Sequence, residues 1–121
     1  MATQVLFGEI EHMIINNLLK SISILSSDHE TQEVYIEELG VAPSLDELAL
    51  DFDNWFSAAR SKPELEHCLP LLQELEESIS ALSGKGYEVW EVDALTGREW
   101  ESIREKARQA HTCLEQYLSH V

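Results

Sequence analysis

At 121 residues and 13.8 kDa the chain has the length of one domain, residues 1–121, and can bury roughly two-thirds of its unfolded surface. Apolar residues make up 44% and charged residues 26%, a globular balance and not a disordered one. The 23 Asp and Glu against 8 Lys and Arg give −15, which excludes the clustered cations of a nucleic-acid surface or of an anionic membrane surface.

The N-terminal stretch has no basic region, and Glu9 and Glu11 interrupt its apolar residues, so it does not read as a signal peptide. No run approaches the length of a membrane span, and the expected location is cytoplasmic. A helix is predicted from Thr3 to Ser26. Phe7, Ile10, Ile14, Leu18, Ile22 and Leu25 form one stripe, and Leu6, Met13, Ile15, Leu19 and Ile24 widen it around most of the circumference. Such a helix must be covered on several sides, at the centre of the domain or against another subunit.

Ser27-Asp28-His29-Glu30 has the form of a capping box and should open a short helix ending at Leu39, with Gly40 just beyond it. Pro43 prevents continuation. Ser44-Leu45-Asp46-Glu47 repeats the capping form and starts a helix to about Ala59, with Leu45, Leu48, Ala49, Phe52, Trp55, Phe56 and Ala59 inward. Pro63 suits the first turn of the next helix, whose inner face runs from Leu65 through Cys68, Leu72, Leu75 and Ile79 to Leu82. Pro70 falls on its polar side, which predicts a kink and not a break. Residues 83–97 read as an extended loop whose Tyr87 and Trp90 cover the core, although Tyr87–Val92 has strand-forming residues. Thr96-Gly97-Arg98-Glu99 is a third capping form. It precedes a helix to about Ser119 with Trp100, Ile103, Ala107, Ala110, Leu114, Tyr117, Leu118 and Val121 inward. The fold class is all-α: a compact bundle of four or five helices with an irregular segment near 85–95.

Cys68 and Cys113 lie on apolar faces and read as buried thiols of a reducing cytosol; a disulfide joining two packed helices stays open. Glu9 with His12 and Glu64 with His67 have the spacing found in di-iron bundles, but they sit on polar or flanking positions, so no metal and no cofactor is expected. His111 borders the inner face of its helix, as a hydrogen-bonded histidine at the core edge would. There is no phosphate-binding glycine loop and no nucleophile elbow, and the chain reads as non-enzymatic.

The charge is regional. From Arg98 onward four acids balance four bases, so residues 1–97 carry the whole −15. The strongest local case lies opposite the apolar arc of the 45–60 helix, where Asp46 and Asp53 flank Leu50. An apolar anchor inside a charged rim is an interface arrangement. Glu47 beside it, and Glu33 and Glu37 on the preceding helix, would extend the acidic surface. This predicts a basic protein partner, with Glu33, Glu37, Asp46, Glu47, Leu50 and Asp53 as the binding residues.

The stretch Leu45-Asp46-Glu47-Leu48-Ala49-Leu50-Asp51-Phe52-Asp53, after Gly40 and Pro43, resembles a segment of small bacterial immunity proteins that neutralise toxins of interbacterial competition. The resemblance spans some 15 residues. It implies a cytoplasmic protein that binds a cognate toxin, in particular a basic, nuclease-like domain whose phosphate-binding surface an acidic inhibitor can occupy. Opposed charges would also speed the encounter. The alternatives are an adaptor or assembly subunit forming a homodimer through the apolar N-terminal helix and, further off, a metal-binding bundle.

Overall fold

The computed structural model describes residues 2–39, 45–82, 84–85 and 90–118. Five α-helices carry them: α1 (Ala2–Ser26), α2 (His29–Glu38), α3 (Asp46–Ala59), α4 (Leu69–Leu82) and α5 (Arg98–Leu118). Among the described residues, the 3-10 helices Pro63–Cys68 and Val92–Thr96 precede α4 and α5. No strand occurs among the described residues, and the all-α expectation holds.

Periodicity explains the layout. Leu18, Ile22 and Leu25 on the stripe of α1 are buried, and α1 packs mainly on α5 and α3. Leu48, Phe52, Phe56 and Ala59 meet it from α3, with the two phenyl rings stacked at 5.4 Å. Trp100, Ile103, Ala107, Ala110 and Leu114 meet it from α5. Leu72, Leu75, Ile79 and Leu82 bring α4 onto the same core. Each large side chain buried this way contributes about 1.5–3 kcal/mol. Over residues 12–26 the wide apolar surface of α1 is mostly consumed inside the bundle, and Met13 is its exposed large apolar side chain.

One buried polar junction locks three helices. The Gln32 side chain is fully buried, and its Nε2 donates to the carbonyls of Ile24 and Leu25 at 2.9 and 3.0 Å, capping the end of α1 from α2. Its Oε1 accepts from Arg104 of α5 at 3.2 Å. Arg104 is only 7% exposed, and burial pulls its guanidinium pKa downward, with Arg108 adding to the effect. Sequence periodicity did not flag either residue, because a polar residue on a helix wheel reads as solvated until its partners are known.

Four local expectations are corrected. Asp28, and not Ser27, caps α2: its carboxylate accepts from the Thr31 amide at 2.8 Å, while Ser27 Oγ donates back to the Ser23 carbonyl. Thr96 does not cap α5, because its hydroxyl donates to the Asp93 carbonyl and closes the 3-10 helix Val92–Thr96. Pro70 does not kink a continuous helix. The chain is 3-10 through Cys68 and becomes α at Leu69, which puts Pro70 in the first turn, where no N–H is needed. Cys68 and Cys113 are not free thiols but a disulfide with Cα atoms 5.9 Å apart. The 3-10 helix Pro63–Cys68 packs on α5 and brings two distant positions within bridging range, which sequence spacing alone could not show.

The extended reading of 83–97 is met in part. Trp90 is half-buried, packs against the core and meets Trp100 edge-on at 6.1 Å. No strand forms over residues 90–92. Tyr87 lies outside the described residues, as do Gly40, Pro43, Ser44 and Val121. No helix among the described residues is long and apolar enough to cross a membrane.

Candidate functional site: acidic faces of the second and third helices

The chain has no Lys or Arg from Ser21 to Ala59, while nine Asp and Glu fall in that span. The positive charges gather elsewhere. Arg60 pairs with Glu76 at 2.9 Å, Lys85 with Glu99 at 3.4 Å, Lys106 with Glu74 at 3.9 Å and Arg108 with Glu105 at 3.4 Å. Among the described residues, Glu33, Glu37, Glu47 and Asp53 take part in none of these pairs and are exposed. Their charge therefore faces water uncompensated.

Three of the six expected binding residues come together. Asp46, Leu50 and Asp53 fall on one stripe of α3 and line a cleft of about 420 Å3 with Ala49 and Phe52. The facing wall is Glu76, Ile79 and Ser80 of α4, and Trp90 closes the side. Leu50 is 60% exposed, the largest exposure among the large apolar side chains described. The cleft is bounded at the C-terminal end of α3 by the Arg60–Glu76 pair, whose guanidinium lies 4.7 Å from the Phe56 ring centre. At its other end the Leu45 amide donates to the Trp90 carbonyl at 2.8 Å, which fixes where α3 begins.

The other three residues lie on different faces. Glu47 belongs with Asp51 on the side of α3 toward α2. Burial pushes the Tyr35 phenol up, and the carboxylates of Asp51 and Glu47 push it further, which puts both acids near Tyr35. Glu33 and Glu37 each sit two residues from Tyr35, hence on the opposite side of α2 from it. The acidic surface is thus a set of faces on two helices and not one flat patch.

Sequence reasoning missed the α4 wall of the cleft. Ile79 read as core and Glu76 was not singled out, and no periodicity tells which helix lies opposite Leu50. It also missed the pairing of His67 with Tyr117, whose rings stack at 4.4 Å beside the disulfide. Tyr117 is exposed and not inward. His111 is satisfied by Glu115, one turn on, at 2.6 Å. Among the described residues no group of three His, Cys, Asp or Glu is arranged to hold a metal ion. Comparison with family models, curated proteins and solved structures finds no match to this chain.

Proposed function

We propose that the protein is a non-catalytic binding protein of the immunity type, which neutralises a cognate bacterial toxin by covering a basic, nuclease-like domain with the acidic faces of α2 and α3. One observation carries this reading: Glu33 and Glu37 of α2 and Glu47 and Asp53 of α3 stand exposed outside the Lys and Arg ion pairs of the described residues, which lie on α4 and α5 and at the C-terminal end of α3. Leaving like charges together costs the compact state through self-repulsion, and a basic partner relieves that cost on binding. The same field raises the rate of encounter, which suits an inhibitor that must act before its target does.

A cytoplasmic site of action belongs to this proposal. The cytosolic thiol pool would there hold Cys68 and Cys113 reduced, so the fold must persist without the bond. The test is co-purification with the protein encoded beside it, then charge reversal of Asp46 and Asp53. Loss of the complex, in a variant that keeps its helical signal, supports the acidic faces as the contact. Retention of full affinity by Asp46→Lys with Asp53→Lys removes the cleft face of α3 from the interface.

A further inference from the structure

We infer that the groove between α3 and α4 seats an amphipathic, basic helix of the partner protein, an inference that rests on the binding reading above and names what enters its central cleft. The groove exists because α3 packs chiefly on α1 and touches α4 only lightly. The side chains of the two helices leave about 420 Å3 open between them. Its floor is apolar, formed by Phe52, Ile79 and Trp90, and Leu50 stands at its edge in water. Its rim is anionic, with Asp53 free of any ion pair among the described residues and Glu76 held by Arg60.

The lining positions on α3 are the first, fourth, fifth, seventh and eighth places of the 46–53 stretch, one face of that helix. Over that stretch α3 rises about 10 Å, the length of two turns of a helix laid alongside it. In helix-in-groove recognition it is the entering helix that presents apolar anchors three and four residues apart, and a groove two turns long has room for one or two of them. The occupant that matches both features carries one or two aliphatic side chains toward Leu50 and Ile79, with Lys or Arg one turn away toward Asp53. A helix with acidic flanks meets repulsion from the rim and from a chain of net charge −15. A second copy of this chain brings the same −15. A small inorganic cation leaves the apolar floor unmatched.

The experiment titrates the 15N-labelled protein with three synthetic 14-residue peptides and follows its amide resonances. The first is a Leu/Lys helix with one apolar face, the second has the same composition scrambled to abolish the face, and the third is a Leu/Glu helix. The expected result is micromolar binding of the first, with shifts centred on residues 46–53, 76–80 and 90, binding of the second at least ten-fold weaker, and none of the third. Leu50→Glu separates anchoring from charge, because it removes the apolar contact while adding a negative charge. The groove requires binding of the first peptide to weaken about ten-fold, whereas simple charge attraction requires it to tighten. Leu50 is mostly in water, so the variant should keep its thermal midpoint within a few degrees. Equal affinity for the scrambled peptide, shifts centred elsewhere, concentration-dependent shifts at these residues without peptide, or no binding of the first peptide each overturns the inference. The two proposals fail separately. A cognate partner lost on reversing Asp46 and Asp53 but indifferent to Leu50→Glu removes the groove and keeps the acidic faces. Groove binding of the Leu/Lys helix without any cognate toxin does the reverse.

Discussion

Reducing the Cys68–Cys113 bond probes directly how the 3-10 helix Pro63–Cys68 is held against α5. The bond closes a loop with a sequence separation of 45. The chain-entropy relation for such a loop gives about 13 cal/mol/K, or about 4 kcal/mol at 25 °C, as the stabilisation lost on reduction. That is a large share of the roughly 5–15 kcal/mol available to a domain. With a urea slope of about 1.5–2 kcal/mol/M, the unfolding midpoint should fall by about 2–3 M. The thermal midpoint should fall by about 15 °C. Reduction is preferable to substitution, because Cys68 is fully buried and a serine hydroxyl there would add its own desolvation cost. The assay is urea unfolding followed by far-UV circular dichroism, with and without a phosphine reductant, alongside a thiol count on the denatured, unreduced protein. Two titratable thiols that persist after air oxidation of the purified protein, or a midpoint shift under about 0.5 M on reducing the oxidised form, would refute the link between these elements and its entropic account.

Three further outcomes follow from the same geometry. Gln32→Leu should cost about 2–3 kcal/mol, because it strips the cap from α1 and leaves the Arg104 guanidinium buried without its acceptor; adding Arg104→Met should restore at least half of the loss in a double-mutant cycle, and simple additivity would contradict the coupling. The Thr31 amide holds the Asp28 carboxyl below its ordinary range, so its stabilising contribution is full above that range and fades as pH falls through the lowered value; the stability gap between the parent and Asp28→Asn should therefore narrow below about pH 4, and a gap constant from pH 6 to pH 2 speaks against it. Arg60→Ala should change stability by under about 1 kcal/mol, since the pair with Glu76 is half in water, yet it should tighten Leu/Lys helix binding several-fold by releasing the Glu76 charge toward the cleft; unchanged or weaker binding in the peptide titration would count against the anionic rim.

How much of this was readable in the chain depends on the range of the interaction. Burial of Leu18, Ile22 and Leu25, of Leu48, Phe52 and Phe56, and of Trp100, Ile103 and Leu114 followed from helical spacing, because the energy of an amphipathic face is a property of the segment. The N-cap of α2 was missed by one residue, since Ser27 and Asp28 both offer an oxygen and only local backbone geometry decides between them. Pro70 was read as a kink inside one helix, because the change of helix type just before it lies beyond any wheel. The site divides in the same way. Asp46, Leu50 and Asp53 share a stripe by spacing and share a cleft in the fold. Glu76, Ser80 and Trp90 join them only because α4 and the segment before α5 arrive from far along the chain, and Glu33, Glu37 and Glu47 part from them for the same reason.

The Gln32–Arg104 junction fixes α2 through its buried side, from beneath. Its outward positions, like those of α3, bear little of the packing. Variation there can proceed almost independently of folding, so one rigid framework tolerates the exchange of a few solvent-facing residues at a time.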